Sequence, residues 1–198
     1  MGYCLHPFAI DLDRLTRVVG CRDASLFAAL FERFGHRFAP IDELAADHVE
    51  GERGITVRTA LTHLVMGEPY REEFGFVCGY ALELLCEHFG EQLPNGQWSA
   101  MRSDWFTQVD AALVAAGLGG LSVTGLAFRG PPVVLPDIPD FPAVGYLTRA
   151  EVVDNLTAFA EGRVAGVGDP ELRAAVAQVQ GWLQTCARNG RGLVTFYD

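Results

Sequence analysis

Five of the chain's ten prolines fall in one stretch, GPPVVLPDIPDFPAVGYL, residues 130–147. Proline lacks the backbone N–H and fixes φ, so this stretch is extended, in a chain whose other segments mostly carry helical periodicity. Its apolar residues between the prolines predict a strip laid across the body and not a solvated linker. Residues 2–10, GYCLHPFAI, read as a strand whose Pro7 suggests an edge or a bend. The last seven residues, GLVTFYD, read as another strand. Between them lie helical patterns: DLDRLTRVVG opened by Asp11, and DASLFAALFERFG opened by Asp23 with apolar Leu26, Phe27, Leu30, Phe31 and Phe34. A more polar segment, IDELAADHVEGERG, follows and is expected to end near Gly51. Then come ITVRTALTHLVM, FGFVCGYALELLCEHFG and SDWFTQVDAALVAAG, the last opened by Ser103. LSVTGLAFRG switches to a strand pattern. Thr148 to Glu151 spell a capping box, and Asp169-Pro170-Glu171 opens a long helix to Asn189-Gly190. The expected fold is therefore α+β, a small sheet pairing the N- and C-terminal strands and covered by about six to seven helices. One domain over residues 1–198 is expected, with a split near 130 at the proline-rich segment as the alternative.

A chain of 198 residues buries roughly 70% of its unfolded surface and needs neither disulfide nor metal to hold a core. The net charge of −10 and scattered arginines argue against nucleic acid as a partner. No apolar run is long enough to span a bilayer and the N-terminus has no signal-peptide pattern, so no membrane association is expected. Five cysteines, an odd number spread along the chain, fit reduced thiols in a cytoplasm.

The richest cluster of reactive residue types is FGFVCGYALELLCEHFG, residues 74–90. At 100° per residue, Phe74, Ala81, Leu82, Leu85 and Phe89 fall within about 60° of Cys78 and make one apolar face. Cys86 and His88 flank that face on opposite sides at about 80° each, so they point apart. Cys78 and Cys86 are about 12 Å apart along the axis, too far for one metal or a disulfide. Glu83, Glu87 and Tyr80 are left for a solvated outer face. Neither a metal nor a cofactor is called for by this spacing.

Cys4 and His6 are two apart on a strand and share a face, the geometry of a thiol–imidazole pair that needs an acid from elsewhere. The loop DHVEGERG brings Asp47, His48, Glu50 and Glu52 close together without matching a metal motif, and reads as a solvated polar loop, with the lining of a cleft as the alternative. His63 lies in an apolar helix, as a hydrogen-bonded core histidine would. Asp137 and Asp140 sit in the proline strip as solvated acids or an acid pair. Gly117-Leu118-Gly119-Gly120 precedes a strand pattern, so it is not a phosphate loop, which leads into a helix. There is no GxSxG and no CxxC. Trp98, Trp105 and Phe106, surrounding Arg102 and Asp104, have the composition of interface anchors and equally of a loop folded onto the core.

Taken together, GYCLHPFAIDLDRL, YALELLCEHFG and GYLTRAEV…WLQTCARNGRGLVTFYD resemble a group of uncharacterised proteins seen mainly in actinobacteria. The tail is also distantly similar to the YfbM-like family, of unknown function, through Tyr146, Leu147, Thr148, Glu151 and Val152, then Gly192 to Tyr197. That resemblance implies one α+β domain with paired terminal strands and no catalytic residues to carry over. Two functions are expected on these grounds. One is a non-enzymatic binding or interaction protein, accessory or immunity-type, engaging another protein through an exposed patch with Trp98 or Trp105. The alternative is a small hydrolase-like enzyme using Cys4 and His6 with an acid, or the residues 47–52.

Overall fold

The computed structural model of the chain describes residues 3–46, 56–70, 75–102, 104–138, 141–162 and 164–198. They group into two compact units, each assembled from separated stretches of sequence. The first draws on Met1–Leu12, Gly90–Pro132 and Ala143–Asp198; the second on Asp13–Phe89 and Val133–Pro142.

The first unit holds an antiparallel sheet of four strands in the order β2-β1-β4-β3. The strands are β1 (Leu5–Ile10), β2 (Glu91–Gln92), β3 (Ala143–Leu147) and β4 (Gly192–Tyr197). The terminal strands pair as expected, from Leu5 opposite Tyr197 to Ile10 opposite Gly192. Just beyond β1 and β4, Cys4 and Asp198 exchange both backbone hydrogen bonds, at 2.6 and 3.1 Å. Even-numbered residues of β1 therefore bond to β4, and odd-numbered ones face the other way. Pro7 is odd, so its missing N–H breaks no bond to β4; its carbonyl accepts from Leu93 at 2.8 Å. The proline is tolerated because the strand on that side, β2, is only two residues long.

Four helices complete this unit: α5 (Trp105–Ala115), α6 (Val123–Phe128), α7 (Arg149–Glu161) and α8 (Pro170–Arg188). The segment LSVTGLAFRG was expected to be a strand; its centre is the helix α6. Ser122 caps it, and Asp110 of α5 accepts from the Val123 N–H at 2.6 Å and the Thr124 N–H at 3.3 Å. This borrowed cap outweighs the β-branched local preference. Helix α6 then lies on Gly145 of β3, where a Cβ would stand 1.8 Å from the Leu126 carbonyl oxygen. The buried Thr195 hydroxyl on β4 donates to the same carbonyl. The capping box of α7 is complete, with Thr148 and Glu151 each bonding the other's backbone N–H. Asp169 caps α8 through the N–H groups of Glu171 and Leu172, with Pro170 in first position.

The second unit is helical: α1 (Leu12–Val18), α2 (Ala24–Ala46), α3 (Val57–Met66) and α4 (Gly75–Phe89). Asp23 caps α2 through the N–H groups of Ser25 and Leu26. Two segments were expected here, broken between Gly35 and Ile41; residues 24–46 form one helix with Pro40 inside it. Leu30, Phe34, Phe38 and Ile41 are all buried, so one apolar stripe runs unbroken past Pro40. Packing along that stripe offsets a proline penalty of about 3 kcal/mol. Helix α3 starts at Thr56, whose hydroxyl accepts from the Thr59 N–H, and ends on Gly67 with φ 68°. The proline strip lies on α4. A Cβ at Gly75 would be 1.7 Å from the Asp137 carbonyl oxygen, and one at Gly79 3.1 Å from Pro142.

Candidate functional site

Helix α4 gathers reactive residue types but does not bring them together. Cys78 and Cys86 are buried, and burial pushes the Cys78 thiol up to about 11. The Cys86 thiol is raised well above its ordinary value by burial and by neighbouring Glu83. Two sequence expectations are corrected here: Cys86, placed at a boundary, is 0% exposed, and Glu83, placed on a solvated face, is 7% exposed. Nearly every position from Gly75 to Cys86 is buried, so the helix is enclosed all round and a two-sided wheel does not describe it. His88 packs edge-on to Phe34, its rings 6.4 Å apart, and its Nδ1 is buried without a partner. Burial, then Arg33 and Arg14, hold it below the usual histidine value. Glu87 pairs with Arg37. These are thiols and an imidazole kept in their neutral forms, the opposite of an activated site.

The other sequence candidates separate in the same way. Asp47, His48, Glu50, Glu52, Asp140, Phe74 and Ser103 lie outside the described residues. His63 meets Glu68 at 3.3 Å through Nε2, while its Nδ1 is buried without a partner. The Asp137 carbonyl oxygen is the atom that fits against Gly75. The glycine run 117–120 leads to a short helix and not to a strand, contrary to expectation; the N–H groups of that helix are already taken by Asp110. Among the described residues no group of three or more His, Cys, Asp or Glu side chains is arranged to hold a metal.

Trp98, Trp105 and Phe106 are not surface anchors. Trp98 is 0% exposed, with Trp182 at 5.6 Å, Phe106 at 6.1 Å and Trp105 at 6.3 Å between ring centres. The Trp105 and Trp182 N–H groups donate to the carbonyls of Gln97 and Pro94. The Trp98 Nε1 is buried without a partner, and the three indoles form the first unit's core and leave none for a patch.

What the fold does assemble is the end of the sheet where β1 begins and β4 stops. On one face, Cys4 stands directly opposite Asp198, and His6 is two residues along from Cys4. The His6 Nε2 lies 3.1 Å from Asp198 Oδ1, with both side chains about a third exposed. Cys4 is half-buried. On the other face, Tyr197 touches Tyr3 and Phe128, each 5.4 Å away between ring centres, and Phe106 at 5.0 Å. Tyr197 is buried by them, and burial followed by Tyr3 raises its phenol above the ordinary value. Tyr3 and Phe128 are 41% and 54% exposed. Sequence reasoning found Cys4 and His6 but missed Asp198, Tyr3, Tyr197 and Phe128. Pairing the terminal strands in register would have placed Asp198 beside Cys4; no local pattern announces Phe128, because it depends on α6 being a helix.

The fold defines an α+β protein with paired terminal strands and no assembled metal centre among the described residues. The chain belongs to the DUF7691 family, a domain of unknown function, which it matches over residues 1–198. No curated protein and no solved structure matches it. Among the described residues no helix is long and apolar enough to cross a membrane.

Proposed function

We propose that the protein is a non-enzymatic interaction protein, accessory or immunity-type, and that Tyr3, Tyr197 and Phe128 form its docking ledge. The observation that carries this is the continuous aromatic row with two half-exposed members at the sheet end. Tyrosine and phenylalanine rings offer large contact area at low entropic cost, and buried Tyr197 fixes its two neighbours in place. The occupant is another protein with basic character. A chain of net charge −10 attracts such a partner and repels both nucleic acid and a second copy of itself. Five free cysteines support a reducing, cytoplasmic setting. Kinship with actinobacterial proteins and with the YfbM-like family is supported by the Tyr146-Leu147-Thr148 entry to α7.

The test compares capture by the immobilised chain with capture by a Tyr3→Ser/Phe128→Ser double variant, in lysate of cells that carry the gene. A basic protein is expected to be retained by the wild type and released by salt, with affinity reduced at least about tenfold in the variant. A Val114→Ser/Val153→Ser control, altering exposed residues of α5 and α7, is expected to bind like the wild type. Equal retention by all three proteins, or self-association of the wild type by light scattering at working concentration, contradicts the proposal.

A further inference from the structure

We propose that the proline strip is a strap that undocks from α4 as a unit, and that the seat it leaves takes an extended, proline-containing apolar segment of a partner. The strip, Val133–Pro142, and α4 both belong to the second unit, so the inference does not depend on the aromatic ledge of the first.

Packing alone holds the strip. Among the described residues, none of 131–138 gives or accepts a hydrogen bond. Three of these eight are prolines, with no N–H to offer. The contact falls on one face of α4, where the Asp137–Ile138 peptide presses on Gly75, and the Ile138 side chain and the Pro142 ring press on Gly79. Gly75 and Gly79 are four apart and so stand one above the other on the helix. Pro136 is buried, but Asp137 is exposed and Val134 is 86% exposed. A segment seated in this way loses no directional bond on leaving. It therefore opens below the free energy of global unfolding, while α4 keeps its own helical hydrogen bonds and its packing against α2 and α3.

The present occupant defines what else fits. At Gly75 no side chain can stand between α4 and the strip, so the seat admits bare extended backbone and not a helix. Proline enters such a seat at low entropic cost, because its φ is fixed beforehand. The tethered strip competes at high effective concentration, so a partner segment gains the seat only as the strap opens.

Thermolysin on the native chain, read by mass spectrometry, tests the strap, since this protease cuts before Val134 and Leu135. The cut there is expected at least about tenfold faster than any cut within α4 and with a much weaker urea dependence. The nicked chain is expected to keep its helical circular dichroism. A strip cut only as fast as α4, with the same urea dependence, overturns the proposal. The seat is tested by fluorescence anisotropy with a fluorescein-labelled peptide of residues 130–143. Ile138→Ser loosens the strip and leaves the seat intact, and is expected to bind the peptide at least about tenfold more tightly than the wild type. Adding Gly75→Ala, whose Cβ would stand 1.7 Å from the Asp137 carbonyl oxygen, is expected to abolish that binding. Equal binding by Ile138→Ser and the wild type, or equal binding of a scrambled peptide, also overturns the proposal. Should Ile138→Ser fail to fold, the nicked wild type takes its place, because each half of its strip is held by a single tether.

Discussion

Helix α4 and the sheet end where β1 begins and β4 stops contain the same chemical vocabulary, cysteine, histidine and carboxylate, and the fold treats them oppositely. In α4 the period of 3.6 scatters Cys78, Cys86 and His88 around an enclosed cylinder, and burial keeps both thiols protonated. At the sheet end the period of two keeps Cys4 and His6 together, and antiparallel pairing delivers Asp198 to them. Residue type did not distinguish the two regions. The period of the element each occupies, and what covers it, did.

The largest effects test the glycine seats on which the two regions rest. Gly75→Ala forces the strip off α4 and Gly145→Ala forces α6 off the sheet, since a Cβ at either would sit under 2 Å from a backbone oxygen. Each is expected to cost about 3–5 kcal/mol of stability in urea unfolding, if the chain folds at all. A loss below about 1 kcal/mol at either position would mean that the close approach there is not rigid.

Next come the cysteines themselves. Cys86→Ser buries a hydroxyl in a fully enclosed site and is expected to cost about 1–3 kcal/mol, whereas Cys4→Ser stays within about 0.5 kcal/mol. Equal losses would erase the distinction between core thiol and surface thiol.

The pH dependence separates the regions by window. His88 in α4 is held below its ordinary 6.5, so the folded state resists the proton that the unfolded state accepts. Its contribution is full above 6.5 and falls as pH drops below it. Glu151 in the α7 capping box is opposed by burial, but Thr148 and Arg129 outweigh that and hold it below its ordinary 4.5. Its contribution is therefore present above 4.5 and lost as pH falls through the folded value. Thermal melts across pH should show that His88→Gln flattens the profile around pH 6, and that Glu151→Gln costs about 0.5–1 kcal/mol at neutral pH, converging on the wild type in acid.

The smallest effect is a gain. Gly181 in α8 has open space where a Cβ would stand, so Gly181→Ala is expected to stabilise by about 0.5–1 kcal/mol.

Much of the fold was legible because its signals are local. Asp23, Thr148-Glu151 and Asp169-Pro170 mark helix starts wherever they occur, and the apolar ends of the chain announced the terminal strands. The failures share a cause, which is that a distant group overrode a local preference. Residues 23–35 and 41–54 read as two segments until Phe34, Phe38 and Ile41 are seen buried along one stripe. Val123–Phe128 reads as a strand until Asp110 caps it from another helix. Trp98 reads as exposed until Trp182, far along the chain, packs on it. The candidate site was half legible: Cys4 and His6 share a strand, but Asp198 and Phe128 arrive only through pairing and through α6.

The most direct measurement is residue-resolved labelling of the five thiols by iodoacetamide in the native chain, followed by mass spectrometry. Cys4 and Cys21 are expected to label on the timescale of a free thiol, while Cys78, Cys86 and Cys186 label only as fast as the chain unfolds. Labelling of Cys86 at the rate of Cys21 under native conditions would contradict the assignment of α4 to the core.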